Sequence, residues 1–248
     1  MVKDNLYVIT SIDEYLNLIN EITEKEEVIW LRGQSNVSHK LIPSGLRNII
    51  PIQDQFGRKI ENGEFSRSGG DIVDGINLDR LFIKYKKEVK EFIKEDLMPK
   101  NDYEWLFLMQ HYGAPTRLLD WSKDSLVALY FAMPEYFNVD NESDYHESIE
   151  DEFLENGSSD KGAAVFIINP NKINEKSTWV KTNGEYDSVK SPIDLSDEQK
   201  VNKWKYYLAP MKNAATYSPI CVCPPQIDQR IKKSIRSLYI TWKLYLGT

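Results

Sequence analysis

Cysteine and histidine are scarce in this chain, with two of the first, Cys221 and Cys223, and three of the second. The cysteines stand as Cys-Val-Cys in a strand-like stretch, so both side chains point the same way. Two thiolates alone do not complete a tetrahedral zinc site, and no metal is expected. No run approaches the roughly 20 apolar residues that a bilayer span needs, and the opening MVKDNLYVITSIDEY lacks the apolar core of a secretory signal. These absences lead us to expect a cytoplasmic protein without a membrane partner. Positive charge is also in deficit: 31 basic against 38 acidic residues leave a net charge of −7. Strong duplex nucleic-acid binding, which draws its affinity from neutralised phosphates, is therefore not expected. With no Gly-x-Gly-x-x-Gly and no Gly-Lys-Ser/Thr, the sequence offers neither a Rossmann fingerprint nor a phosphate-binding P-loop.

What is present is enough to fold alone, since 248 residues at 41% hydrophobic and 12% aromatic content fill a sizeable core. Ser11 and Glu14 stand at capping-box spacing ahead of Ile12, Tyr15, Leu16, Ile19 and Ile22, and predict a helix from 11 to 24. EEVIWLRGQS reads as a strand from Val28 to Arg32 that ends at Gly33. Asn77 caps a predicted helix that carries Leu78, Leu81, Phe82, Tyr85, Val89, Phe92 and Ile93 on one face to about Leu97. Asn101 and Glu104 open another, from Asp102 to Tyr112, closed by Gly113 as a left-handed terminator and by Pro115. TRLLDW fits a short buried strand and KDSLVALYFAM a buried helix. AAVFIINP reads as a central strand, YSPICVCPP and SLYITWKLYL as two more, with a short helix near 226–233 between them.

Residues 53–76, rich in glycine, and the acidic stretch 138–161 are expected as mobile insertions. The fold class is α+β: a single mixed domain over 1–248, its small and largely antiparallel sheet flanked by helices.

Polar clusters at element ends mark the candidate site, because there a side chain leaves the core yet stays rigidly held. Arg32 offers a planar fork suited to phosphate or carboxylate, Gly33 allows a ligand or another backbone to come close, and Gln34 reads an amide or closes a turn. His111 at a helix end suits a general base, a ligand donor or a structural cap. Thr116 and Arg117 precede the short strand, on which Asp120 shares a face with Leu118 and needs a donor partner; Arg32 is the candidate. Trp121 and Tyr112 offer flat surfaces for a nucleotide ring, although core packing is the commoner use of a tryptophan. His111, Asp120 and Ser122 cluster without showing the geometry of a triad. The same cluster would equally serve to pin helix 102–112 against the strands through an internal Arg–Asp network.

Taken together, WLRGQS (30–35), LIPSGLR (41–47) and the long QHYGAPTRLLDWSKDSLVALYFA (110–132) resemble the FRG domain family, named for an aromatic-x-Arg-Gly signature. The resemblance runs from about residue 28 to about 240, with gaps at the two insertions. Near its end the family pattern has Arg-Ile, then Gln and an aromatic; here Arg230 and Ile231 are followed by Ser234 and Leu238 at those places.

A weaker similarity, to the Arg-Ser-Glu plan of ADP-ribosyltransferases, rests on Arg32 and on Ser122 with ALYFA behind it. It implies NAD as cofactor, Arg32 on the pyrophosphate, Trp121 or Tyr112 stacking, Asp120 or His111 assisting the chemistry, a macromolecular acceptor, and a role as toxin or in phage defence. The late strands carry no Glu to complete that plan. The alternative is a non-catalytic module that binds or sequesters a nucleotide signal or a partner protein.

Overall fold

A computed structural model describes residues 2–3, 6–54, 56–61, 72–133, 148–149, 151–152, 155, 161–178, 180–182, 185–208, 219–224 and 237–241. In chain order the elements are β1 (Val2–Lys3), β2 (Leu6–Tyr7), α1 (Ile12–Lys25), β3 (Trp30–Gln34), β4 (Ile50–Gln53), β5 (Ile72–Asp74), α2 (Leu78–Val89), α3 (Asp102–His111), β6 (Leu118–Ser122), α4 (Ser125–Ala132), β7 (Ala164–Ile168), α5 (Pro170–Ser177), β8 (Val180–Thr182), β9 (Glu185–Asp187), β10 (Ile193–Asp194), α6 (Glu198–Leu208), β11 (Ile220–Cys223) and β12 (Ser237–Thr241). The class is α+β, as the mixed periodicities predict. The chain forms two compact units, each from two segments: Met1–Leu41 with Trp121–Pro170, and Ile42–Asp120 with Asn171–Thr248.

In the first unit β3 runs antiparallel to β7, from Trp30 opposite Ile168 to Gln34 opposite Ala164, and meets the end of β6 through Leu31 and Ser122. Helices α1 and α4 cover one face, where Tyr15, Ile19, Leu31 and Ala128 form the core. Ser11 caps α1 by accepting from the Glu14 amide, while the Glu14 carboxylate accepts from the Thr10 amide, one residue ahead of the Ser11 amide that the capping-box spacing suggests.

Strand β3 begins and ends two residues later than predicted, and the later end places Gly33 inside it. The reason is packing: a Cβ on Gly33 would lie 1.9 Å from the Ala128 carbonyl oxygen and 2.6 Å from the Ala132 nitrogen. Only glycine lets α4 approach the strand so closely. The close approach also decides which way α4 faces. Its small residues, Ala128 and Ala132, turn inward, and Leu126, Val127, Tyr130 and Phe131 turn out, so the helix expected to be buried is half exposed. AAVFIINP is likewise not central: among the described strands β7 stands at the sheet margin beside β3, and all five of its residues are only partly buried.

The second unit is centred on Phe82, Trp105, Leu106, Phe107, Met109 and Leu118, with Val189, Ile193, Leu195, Trp204, Ile220 and Val222. Strand β11 pairs in parallel with β10 and antiparallel with β12. The buried amide of Asn174 ties α5 to β11, donating to the carbonyls of Ser191 and Cys221 and accepting from the Cys221 amide. Asn101 caps α3 by accepting from the amides of Tyr103 and Glu104, and Gly113 closes that helix at φ +77°. By contrast α2 stops at Val89, short of the predicted Leu97. Two 3₁₀ turns follow, with extended Ile93 between them and Phe92 projecting into solvent.

Part of the glycine-rich stretch is ordered, since β4 and β5 pair antiparallel and the Asp54 carboxylate accepts from the amides of Phe56 and Arg58. The rest of 53–76, most of 138–161 and the helix expected near 226–233 lie outside the described residues. Helices α5 and α6, the β8–β9 hairpin and β10 are additions to the predicted elements. No helix among the described residues is long and apolar enough to cross a membrane.

Candidate functional site

The polar residues of the second unit gather where α3 ends and the chain turns into β6. Gln110 occupies the last turn of α3, and the left-handed Gly113 reverses the chain so that Thr116 returns to it. The buried Thr116 hydroxyl donates to the Gln110 side-chain oxygen and accepts from the Leu118 amide at 3.2 Å. This fixes the amide orientation of Gln110, whose nitrogen then donates to both carboxylate oxygens of Asp120, at 3.3 and 3.4 Å. Asp120 itself stays partly exposed on the strand.

The turn is anchored from a second direction. Thr116 donates its amide to the Ser44 hydroxyl at 3.4 Å, and its carbonyl accepts from the Gly45 amide at 3.0 Å. A Cβ on Gly45 would stand 2.8 Å from that same carbonyl and 2.7 Å from the Leu78 side chain. Ser44 and Gly45, which periodicity could not single out, thus hold the threonine from behind. Their signal in the sequence was the Pro-Ser-Gly turn inside LIPSGLR.

The remaining residues of this turn do different things. The Arg117 guanidinium pairs with Asp79 of α2 at 3.2 Å; burial holds its pKa below the usual arginine value, and the neighbouring carboxylate offsets part of that. His111 and Tyr112 are both exposed and meet edge to face, with ring centroids 5.3 Å apart. Tyr112 is 71% exposed, open enough to stack against a planar ligand.

The first unit holds the other predicted residues. Leu31 and Gly33 face α4, so the alternation of β3 turns Trp30, Arg32 and Gln34 to the opposite face, and the register sets Trp121 across from Arg32. Arg32 is partly buried, whereas Trp30 and Trp121 are buried, and their indole N–H groups have no hydrogen-bond partner among the described residues. Gln34 closes a turn, donating to the His39 carbonyl at 2.8 Å. The Ser122 hydroxyl accepts from the Asp124 amide at 2.9 Å and donates to its carbonyl at 3.2 Å, and the Asp124 carboxylate in turn caps α4.

Residues 27–141 match the family model described as the FRG domain. The chain carries an FRG domain. The match takes in the Trp-Leu-Arg-Gly of β3, the Ser44–Gly45 turn, the Gln110–Thr116–Asp120 chain and all of α4, and so draws on both units. No curated protein and no solved structure matches the chain. The family's late Arg-Ile region, with Ser234, lies outside the described residues. Among the described residues no group of three or more His, Cys, Asp or Glu side chains is placed to hold a metal ion.

Proposed function

We propose that this FRG domain is a binding module for a nucleotide-like ligand, with NAD the first candidate, and that the second unit reads the sugar and base of that ligand. The observation that carries the reading is the relay from Thr116 through Gln110 to Asp120. A carboxylate oriented by a fixed neutral donor, and still partly exposed, is suited to accept hydroxyl groups such as those of a ribose. Tyr112, two residues beyond Gln110 at the end of α3, offers an exposed ring for stacking.

Binding without turnover is the better-supported form. The Ser122 hydroxyl is committed to a local turn, and β11 and β12 carry no acidic residue to stabilise the positive charge that develops on a ribose when its nicotinamide bond breaks.

The test is titration calorimetry of the full chain with NAD, ATP, ADP and adenosine monophosphate, followed by mass spectrometry of the recovered ligand. The expected result is saturable binding of at least one nucleotide, recovered intact, with Asp120→Asn binding about tenfold more weakly. Release of nicotinamide, or ADP-ribose added to a protein, would replace this reading with ADP-ribosyl transfer. Absence of heat with every nucleotide would end it.

A further inference from the structure

Among the described helices α4 is the most apolar and carries no charged side chain, yet most of its larger residues point away from the protein. Leu126 is 58% exposed, Val127 38%, Tyr130 66% and Phe131 62%, and Met133 follows at 55%. Tyr130 and Phe131 meet edge to face, with centroids 5.6 Å apart, and form a continuous aromatic ridge. These five side chains present on the order of 500 Å² of apolar surface, at the upper end of what a soluble monomer leaves open.

We infer that this face is the contact between two copies of the chain, packed α4 against α4 about a twofold axis. Two copies would bury about 1,000 Å² through these side chains alone, the lower bound for a specific interface. The patch contains no charge that would select a basic or acidic partner, and a purely apolar ridge is complementary to itself in a twofold contact. Charge at the rim fits the same arrangement: antiparallel packing sets the exposed Lys123, just ahead of α4, beside the partially negative C-terminal end of the other α4. A lipid surface suits the helix poorly, since its N-terminal flank offers a single cation, Lys123, followed at once by Asp124, and the chain carries a net charge of −7.

The contact is small, so the dimer is expected to be weak, with a dissociation constant on the order of 10 µM. Sedimentation equilibrium of the full chain between about 1 and 100 µM would show a monomer–dimer equilibrium, strengthened by salt as the repulsion between two anionic copies is screened. Tyr130→Glu and Phe131→Glu should each weaken dimerisation at least tenfold without lowering the melting temperature, because both side chains are exposed in the single chain. Lys123→Glu should weaken it by a few fold. Two results would overturn the inference: a wild-type chain that stays monomeric at 100 µM, or a dimer that persists unchanged in both glutamate variants. Loss of melting temperature in those variants, with a monomeric wild type, would show instead that the chain's own residues cover the face.

Discussion

Replacing Gly33 by alanine is the sharpest stability test of the first unit. The added methyl carbon would lie 1.9 Å from the Ala128 carbonyl oxygen and 2.6 Å from the Ala132 nitrogen. Ordinary contact needs about 3.4 Å, so helix and strand must separate by roughly 1.5 Å. Both obstacles are backbone atoms of one rigid helix, so no side chain can swing aside to absorb the strain.

Separation would also loosen Leu31, Ala128 and Ile19 from one another and disturb the bond from the Tyr15 hydroxyl to the Ser125 carbonyl. Overpacking of well-filled cores costs about 1–3 kcal/mol, and the absence of a yielding partner puts this case at about 3 kcal/mol. The assay is urea unfolding of the two proteins followed by circular dichroism, with ΔG compared by linear extrapolation. A difference under about 0.5 kcal/mol, within the scatter of surface substitutions, would refute the packing role assigned to this glycine.

In the second unit, Asn174→Ala should cost about 3 kcal/mol or more in the same urea assay, because it strips both backbone groups of fully buried Cys221 of their side-chain partner. Trp121→Phe should change stability by less than about 1 kcal/mol, since the indole N–H it removes bonds to nothing among the described residues; a large loss would reveal a partner. Burial, with the Asp124 carboxylate adding to it, pushes the Tyr15 hydroxyl up to about 12 from its usual 10. A raised pKa contributes stability that is fully present below pH 10 and is lost as pH rises through 12, so melting temperatures should fall over that window and fall less steeply in Tyr15→Phe.

Much of this architecture was legible where local chemistry and packing agree. Ser11, Asn77 and Asn101 each precede a run with helical periodicity, and each caps the helix it announces. Gly113 could be read as a helix terminator because a left-handed residue followed closely by Pro115 leaves few other conformations.

The misreadings share a different cause. Phe92 and Ile93 continue the apolar spacing of α2, but spacing does not say that the chain becomes extended at Ile93, which still packs against the core while Phe92 projects into solvent. The composition of α4 suggests burial on all sides; that its alanines face inward follows from a glycine almost a hundred residues earlier. The same holds for the candidate site. Gln110, Thr116 and Asp120 were visible as polar residues at element ends, whereas the order of bonds linking them, and the support from Ser44 and Gly45, depend on a turn that brings distant segments together.

The claim that Asp120 reads ribose hydroxyls is tested most directly by changing the ligand and the protein together. The affinity of the tightest-binding nucleotide is compared with that of its 2′,3′-dideoxy form, on the wild-type chain and on Asp120→Asn. Either change alone is expected to weaken binding about tenfold, and the two together to weaken it little further because they remove one interaction. Equal affinity of the wild-type chain for the two ligands would contradict it.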